Sequence, residues 1–441
     1  MHKIISIAFP LFFFVLQGFS QAKNNGDSLH LPFAIADEKR LSDEDLKNKK
    51  EGIYVTGVPD LSSDPLNGFG YGGEGSIYFN GKRTDPFYKY TPYRQKIDFT
   101  LFNTTKDERE LKLKIDVPYI FNTKWRLRSE SMYEVNPNLI YFGNTEKSLN
   151  GLSYTDSKGN LVSNANYSDY IGSLKNPFYN TFKKEEFIFN ITMEHSFFDG
   201  KVRALIGYEF GYLNLTTVND STLLNSDNSK GLIYGFGKGR NAMSQIGISY
   251  DTRDLEPDPA NGIFAELNNE YSSPALLSKY SFYKFYFHFN YYKKLFQGQF
   301  NKLVFAGRYA MGYTGGDAPF FEYQDQWSSE GSTEGLGGSH TLRGYKQARF
   351  LGRVMTFNNY ELRYRFLQKT VFKQHLAFSA VPFFDIGGVW DDLNSFFTKN
   401  NYRYNVGVGL RIAWDVNTIL RFDYAISKED NQFFFSLGHA F

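Results

Sequence analysis

Three charged residues, Arg343, Glu361 and Asp385, have the types and surroundings that could form a buried ion-pair site. Arg343 lies in the glycine-flanked loop Gly337-Gly-Ser-His-Thr-Leu-Arg-Gly-Tyr345, which is too long to be a simple connection. Glu361 and Asp385 lie within strand-like segments. If these segments belong to the wall of a membrane-spanning barrel, each carboxylate must face the interior, because a carboxylate that faces lipid has a large free-energy cost. Because a guanidinium can bind two carboxylates through its planar fork, we predict that an inward-folded loop lets Arg343 bind both acids. The alternative for each residue taken alone is a solvated charge.

Other chemistry finds little support in the sequence. The absence of cysteine excludes disulfides, thiolate metal sites and a cysteine nucleophile, and the 7 histidines lack metal-ligand spacing. No Gly-x-Ser-x-Gly segment has a strand–turn–helix context, and the glycine-rich run 234–239 precedes no helix that could complete a phosphate cradle. The acidic group Asp251, Asp254, Glu256 and Asp258 could bind calcium, but a network of turn contacts is favoured. We therefore predict no enzymatic activity, no metal and no cofactor.

The composition favours a membrane-spanning barrel over a nucleic-acid-binding protein. The net charge of +2 over 441 residues gives no bulk electrostatic attraction to nucleic acid. Mean hydropathy is only −0.44, yet 18% of the residues are aromatic. A chain of this kind is typical of a barrel, in which half of each strand faces a wet interior and half faces lipid.

Period-two alternation runs along most of the chain and predicts β-strands. From Tyr283 to Tyr291 every odd position is aromatic, whereas most even positions are polar. From Leu420 to Ile426 the same pattern places Arg421 and Asp423 together on the side away from lipid. The predicted strands are 52–58, 68–81, 94–105, 109–118, 124–134, 185–195, 201–213, 242–251, 262–273, 280–294, 301–313, 353–367, 375–390, 402–415, 417–427 and 431–441.

The predicted fold is all-β, a transmembrane antiparallel barrel of about sixteen strands, an even number as in bacterial single-chain barrels. With both termini on one side of the membrane, the long connections 135–184, 214–241 and 314–352 all fall on the outside. We expect the last of these three loops, which carries Arg343, to fold into the lumen.

The carboxyl terminus carries an aromatic stripe that indicates contact with lipid. In a strand from Asn431 to Phe441, alternation places Phe433, Phe435, Leu437, His439 and Phe441 on one face. We predict that Phe433, Phe435, Gly438 and Phe441 form a barrel-assembly signal at the outer membrane.

The amino terminus has the pattern of an export signal. His2 and Lys3 precede the apolar run 4–16, which is too short to span a bilayer comfortably, and small residues follow up to Ser20. We predict a signal peptide over 1–20, a short periplasmic segment over 21–50 with one short helix near 42–50, and a barrel domain over 51–441.

Several motifs together resemble the bacterial surface-antigen superfamily of BamA and TamA. Leu342-Arg-Gly-Tyr345, Asn359-Tyr-Glu361 and Phe383-Phe-Asp-Ile-Gly387 are similar, in order and spacing, to loop and strand motifs of that family. Tyr141-Phe-Gly-Asn144 is similar to a motif of its third outer loop, and Asp251-Thr-Arg-Asp254, followed by Gly262, to a periplasmic turn. The resemblance covers nearly everything after residue 50.

The resemblance implies both a site and a function. It implies a sixteen-stranded barrel that inserts or translocates proteins at the outer membrane, with a lumen lock formed by Arg343, Gly344, Tyr345, Glu361, Asp385 and Gly387. It implies a periplasmic turn built on Asp251, Arg253, Asp254 and Gly262. The expected partners are outer-membrane lipids together with client or accessory outer-membrane and periplasmic proteins, and not nucleic acid.

The chain departs from the family in one respect that keeps a second function open. Relatives of this kind usually carry periplasmic domains, whereas the segment predicted between Ser20 and the first strand is far shorter than a domain. The alternative is therefore a passive pore, a transporter or a structural subunit. A translocase needs a weak seam between its first and last strands. The first strand is predicted to be short and to end at Pro59, which cannot donate to a ladder.

Overall fold

The computed structural model describes residues 30–64, 67–145, 147–296, 302–372 and 374–441. Sixteen antiparallel strands form one sheet in sequence order, and the sheet curls into a nearly closed barrel. Each predicted strand overlaps one observed strand, so the predicted fold class is confirmed. The strands are β1 Ile53–Asp64, β2 Gly68–Phe79, β3 Gln95–Thr104, β4 Arg109–Val117, β5 Trp125–Ile140, β6 Thr181–Phe197, β7 Val202–Thr216, β8 Lys238–Asp251, β9 Gly262–Ser272, β10 Ser281–Leu295, β11 Leu303–Asp317, β12 Val354–Val371, β13 Gln374–Trp390, β14 Arg403–Trp414, β15 Thr418–Ile426 and β16 Asn431–Leu437.

Alternation of side chains explains why these segments form a barrel wall. Along β10 the even positions from Phe282 to Tyr292 are buried in the lumen, and most odd positions are exposed on the outer surface. Lys284 is 1% exposed, whereas its neighbour Phe285 is 46% exposed. Because lipid accepts aromatic side chains and the lumen accepts polar ones, both faces are satisfied only when the sheet closes on itself.

The long connections lie at one end of the barrel, here called the loop end. They span 141–180, 217–237 and 318–353, and buried residues of all three pack into one apolar cluster that includes Tyr141, Leu224 and Phe320. The opposite end, here called the turn end, carries connections that are all shorter than these three, together with the carboxyl terminus. In the described part of the chain, four short α-helices lie outside the wall: α1 Asp43–Asn48, α2 Tyr167–Ser173, α3 Leu223–Ser229 and α4 Leu393–Thr398. Within the described ranges, no helix has the length and apolar character needed to cross a membrane.

The first strand differs from the prediction. It does not end at Pro59: β1 pairs with β2 in continuous register from Ile53 opposite Phe79 to Asp64 opposite Gly68. Proline is tolerated within β1 because this strand lies at the edge of the sheet, where a missing N–H group need not break a ladder. The prediction of a short first strand was wrong.

The last strand also differs from the prediction of a strand that continues to Phe441. β16 ends at Leu437, and Gly438 follows with a φ of +84°, so the final residues leave the direction of the strand. Phe441 does not continue the outer stripe, because its ring stacks on lumenal Tyr292 at 6.4 Å between centroids. The guanidinium groups of Arg308 and Arg363 lie 4.9 and 5.4 Å from the Phe441 ring centroid.

The signal peptide predicted over 1–20 lies outside the described residues and stays a prediction. From residue 30 onward the amino-terminal segment lies against the turn end of the barrel, with Leu41 packed against Leu255 and Val416. The helix predicted near 42–50 is present as α1, capped by Ser42, whose side chain accepts a hydrogen bond from the Asp45 amide.

Candidate functional site

The connection between β11 and β12 folds into the lumen, as predicted for the loop that carries Arg343. Leu336, Leu342, Tyr345 and Phe350 of this loop are buried in one cluster with lumen-facing residues of the wall, among them Phe357. Burial of these apolar side chains holds the loop against the inner surface of the barrel. The loop thereby brings Arg343 next to the wall strands.

Arg343 is fully buried and binds three carboxylates. Its Nη1 atom lies 2.7 Å from Glu361 Oε1, and its Nη2 atom lies 2.8 Å from Asp385 Oδ1. The Nε atom donates to Asp385 Oδ2 at 3.0 Å, so the contact with Asp385 uses both sides of the fork. The third acid, Asp423, accepts from Nη1 at 3.1 Å. The guanidinium also lies 3.5 Å above the centroid of Phe383.

Additional arginines compensate the three acids. Arg363 donates to Glu361 at 2.8 Å, and Arg411 donates to Glu361 at 3.2 Å and to Asp423 at 2.5 Å. Arg421 lies 3.9 Å from Asp423. Four guanidinium groups therefore surround three carboxylates. Glu361 and Asp423 each have a cationic partner other than Arg343. Asp385 has no second arginine and instead accepts hydrogen bonds from two asparagines.

Asn359 and Asn405 complete the coordination of Asp385. Their side-chain amides donate to its two oxygens at 2.7 and 2.9 Å. Asn359 also donates to the Thr341 carbonyl at 2.7 Å and so ties the loop to β12 beside the arginine. A buried carboxylate with every oxygen hydrogen-bonded is far less costly than an unpaired one.

The glycines of the motif permit the close approach of loop and wall. A Cβ atom on Gly344 would lie 2.7 Å from Asn405 Cβ of the wall, and one on Gly387 would lie 2.8 Å from Leu336 Cδ1 of the loop. Neither glycine could carry a side chain without moving the loop away from the strands. Tyr345 is buried beside them and packs edge-on against Phe350.

A second arginine anchors the same loop nearer to the loop end. Arg349 is 1% exposed, pairs with Glu429 through Nε at 2.5 Å, and donates to the Asn150 carbonyl at 3.0 Å. Its guanidinium lies 4.2 Å from the ring centroid of Phe142, within the motif Tyr141–Asn144. Two arginines in one loop thus bind two separate parts of the barrel.

Arg343, Glu361 and Asp385 were predictable from the sequence, whereas the part played by Asp423, Arg349 and Arg411 was not. Alternation had placed Asp423 and Arg421 on the non-lipid face, and that was the available signal. Alternation could not show which inward-facing residues lie at the same position along the barrel axis, because this depends on the stagger of strands that are distant in sequence.

The predicted turn residues lie together at the turn end. Asp251 binds Arg253 at 3.1 Å and Arg203 at 2.9 Å. Asp254 accepts from the amides of Ala260 and Asn261 at 2.9 and 3.1 Å, which closes the turn. Gly262 has a φ of +114°, and a Cβ atom there would lie 2.3 Å from the Thr252 carbonyl oxygen.

The neighbouring acid Glu256 is strongly paired. Burial acts to raise the pKa of Glu256, but Arg126 and Arg203 outweigh burial and hold this pKa at about 2. Among the described residues, no group of three or more histidine or acidic side chains has an arrangement that could hold a metal ion. The contacts of Asp251, Asp254, Glu256 and Asp258 are instead with arginines, lysine, histidine and backbone amides.

The edge between β1 and β16 is the second candidate site. The sheet begins at β1 and ends at β16, and no ladder joins these two strands in the described part of the chain. Side chains meet across this gap at the turn end: Thr56 Oγ1 lies 3.0 Å from Thr418 Oγ1, and Tyr78 donates to the Asn417 carbonyl at 3.1 Å. This gap is called the seam below.

The predicted assembly signal borders the seam. Phe433 is 66% exposed on the outer surface, and the ring of Phe435 stacks on Phe422 at 4.7 Å. The amide of Gly438 donates to the Ile419 carbonyl at 2.8 Å, after which the chain turns towards the lumen. Because β16 stops at Leu437, the start of β15 directly borders β1 at the turn end.

Comparisons with known proteins agree with this architecture. The Omp85 superfamily domain matches residues 93–441, and a domain of unknown function, DUF5982, matches residues 31–94. No curated protein matches the chain in sequence.

Among the solved structures that share the fold are BamA and CdiB barrels. BamA from Haemophilus ducreyi lacking POTRA domains 1-3 superposes with a TM-score of 0.50 at 14% identity, covering 88% of this chain and 69% of that one. CdiB from Escherichia coli superposes with a TM-score of 0.52 at 10% identity, covering 88% of this chain and 62% of that one. At such low identity the likeness concerns the fold alone.

Proposed function

The chain belongs to the Omp85 superfamily, and from this premise we propose that it inserts or translocates client polypeptides at the outer membrane through the seam between β1 and β16. As an Omp85 barrel it is an integral protein of the outer membrane. The observation that carries the proposal is the missing ladder at the seam, since every other pair of neighbouring strands is joined by a ladder in the described residues.

An unpaired edge in lipid favours the addition of a strand. Backbone N–H and C=O groups facing hydrocarbon without partners cost several kcal/mol each, whereas pairing with a client strand satisfies them. β1 presents this edge over Ile53–Asp64, and its outward side chains Ile53, Val55 and Leu61 are exposed. A client strand that pairs with β1 would therefore enter lipid with its own hydrogen bonds made.

The lumen lock supports this function by keeping the remaining wall rigid. Arg343 joins the inward loop to β12, β13 and β15 through Glu361, Asp385 and Asp423. The strands on one side of the seam are thus held together from inside. Opening at the seam then does not spread through the wall, because the neighbouring strands share these buried ion pairs.

The alternative is a passive pore or a structural subunit, with no insertion of clients. An open pore needs a clear lumen, whereas the loop 318–353 lies inside this barrel and residues 33–50 lie against its turn end. No enzymatic activity belongs to the proposal, because ion pairing and strand addition require no reacting group.

Photo-crosslinking distinguishes these functions. A photoreactive residue at Val55, outward-facing on β1, is compared with one at Leu267, outward-facing on β9; the two side chains are 59% and 49% exposed. During expression of outer-membrane proteins, Val55 should crosslink to client chains and Leu267 should not. Equal crosslinking at both positions, or crosslinking at neither, would contradict insertion at the seam.

A further inference from the structure

Residues 33–50, here called the mouth segment, cross the turn end of the barrel and contact turns on opposite sides of it. The ring of Phe33 lies 5.5 Å from that of Phe87 and 5.6 Å from that of Tyr119, in the β2–β3 and β4–β5 connections. The Ala36 amide donates to the Asp199 carbonyl at 2.8 Å, in the β6–β7 connection. These three connections follow one another around the barrel, so the first part of the mouth segment runs along one side of the opening.

Apolar packing continues across the opening. Leu41 is 2% exposed and packs with Leu255 of the β8–β9 turn and Val416 of the β14–β15 turn, with Leu46 against the same cluster. These two turns belong to strands that are far apart around the barrel. A cluster that joins both turns must lie over the mouth of the lumen.

Three lysines of the mouth segment bind groups of the barrel. Lys39 reaches Asp251 at 3.0 Å, where the carboxylate also pairs with Arg203 and Arg253. Lys49 is 2% exposed and donates to the carbonyls of Tyr88 and Thr91, both at 2.7 Å. These contacts are specific, because each amino group fills a site made of oxygen acceptors.

The third lysine crosses the seam. Lys50 lies three positions before β1, yet its Nζ atom lies 2.8 Å from Asp415 Oδ2 in the β14–β15 turn, and it also donates to Gln374 at the start of β13. Tyr54 of β1 donates to the same glutamine at 3.3 Å. The base of β1 is thus tied to strands with which it forms no ladder.

We propose that the mouth segment is a releasable latch, which closes the mouth of the barrel and ties the base of β1 across the seam, and which must leave before a client polypeptide can enter. The requirement that the mouth segment leaves before a client enters rests on the proposed function, whereas closure of the mouth by this segment does not. Release requires breaking side-chain contacts and a few backbone hydrogen bonds, with no change to the sixteen-stranded sheet. A latch made in this way can open while the wall stays folded.

The first test measures seam opening without any client. The chain has 0 cysteines, so Thr56→Cys provides a single label site, buried at 4% exposure beside Thr418. Lys50→Asp in this background should speed maleimide labelling about tenfold, the change expected when a charge-assisted contact is lost. Lys47→Ala is the matched control, because Lys47 is an exposed lysine of the same segment.

A charge exchange keeps this test independent of misfolding. Lys50→Asp combined with Asp415→Lys restores an ion pair across the seam and should return labelling towards the rate of the parent. Unchanged labelling in Lys50→Asp, or a combined variant that labels as fast as Lys50→Asp, would overturn the latch. Labelling that rises in the single variant and falls in the exchange supports it.

The second test adds a client. A cysteine pair at Leu41 and Leu255 should tether the mouth segment when oxidised and release it when reduced, in barrels reconstituted into liposomes. Insertion of a urea-unfolded outer-membrane protein should stop on oxidation and resume on reduction. Equal insertion in both states would overturn the requirement for release. If the unaltered barrel inserts nothing, the proposed function fails instead. The maleimide-labelling result then still shows whether the mouth segment closes the barrel and ties β1 across the seam.

Discussion

Replacing Arg343 by alanine tests the lumen lock with a magnitude that follows from its contacts. The guanidinium and its three carboxylate partners all have 0% exposed side chains. Removing one partner of a buried ion pair costs about 3–5 kcal/mol. The lower end of this energy range applies to Arg343→Ala, because Arg363 and Arg411 still compensate Glu361 and Asp423, and asparagines still donate to Asp385. A loss of about 3 kcal/mol raises the ratio of released to bound loop by roughly a hundredfold.

Cleavage of the loop 318–353 by proteinase K in the folded, detergent-solubilised barrel measures this ratio. When opening and closing are fast relative to cleavage, the rate follows the population of the released loop. Arg343→Ala should therefore be cleaved about a hundredfold faster. Arg343→Lys should give an intermediate rate, because lysine keeps the charge but loses the fork.

A double-mutant cycle separates the lock from general loosening. Arg343→Ala and Asp385→Asn should be strongly non-additive, since the two residues share two side-chain hydrogen bonds. Arg349→Ala provides the control: Arg349 lies in the same loop and is equally buried, but its acid is Glu429, and its effect should add to that of Asp385→Asn. Additive effects for Arg343 and Asp385 would refute the reasoning.

Two further predictions concern the mouth segment and the carboxyl terminus. Burial lowers the pKa of Lys49 from 10.5 to about 7, so between pH 7 and pH 10 the released lysine binds more protons than the docked one. Docking should therefore strengthen as the pH rises through this window, which should slow proteolysis of residues 33–50. Lys49→Met should weaken this dependence, and the remainder comes from Lys39, whose pKa is also lowered by burial. Gly438 has a φ of +84°, and no atom lies within 4 Å of the position that a Cβ would take, so Gly438→Ala should cost about 1–2 kcal/mol through backbone strain alone. Carboxypeptidase A should release Phe441 faster from Gly438→Ala than from the unaltered barrel. Gly438→Asn should have a smaller effect on this rate. An unchanged rate of Phe441 release in Gly438→Ala would contradict the inward turn.

The strands could be predicted from the sequence because neighbouring residues of each strand face two different environments, lipid and lumen. Alternation such as that of Lys284 and Phe285 requires only a lipid face and a lumen face, and both are visible in neighbouring residues. The ends of the sheet were harder to predict. Pro59 suggested a strand end, although an edge strand tolerates proline, and the regular alternation up to Phe441 concealed the turn at Gly438.

The candidate site was predictable in part for the same reason. The loop and strand motifs identified Arg343, Glu361 and Asp385, whose pairing follows from a loop folded into the lumen. Asp423 joins them only because β15 places it at their height, which depends on register across several strands. The position of the mouth segment was not predictable, because Lys39, Leu41 and Lys50 bind turns far away in sequence.

The most direct test of insertion at the seam is a reversible crosslink between its two sides. Thr56 and Thr418 have hydroxyl oxygens 3.0 Å apart, so a cysteine pair at these positions lies within reach of a disulfide. Ala377 and Ala413, direct register partners in β13 and β14, give a control crosslink between strands that are already paired. The measured quantity is the rate at which an unfolded outer-membrane protein inserts into liposomes containing each oxidised variant.

Oxidation of Thr56→Cys/Thr418→Cys should abolish insertion, and reduction should restore it, while oxidised Ala377→Cys/Ala413→Cys should insert clients at the rate of the unaltered barrel. Insertion that continues at full rate with the seam crosslinked would contradict the central claim and leave a pore or structural subunit as the function.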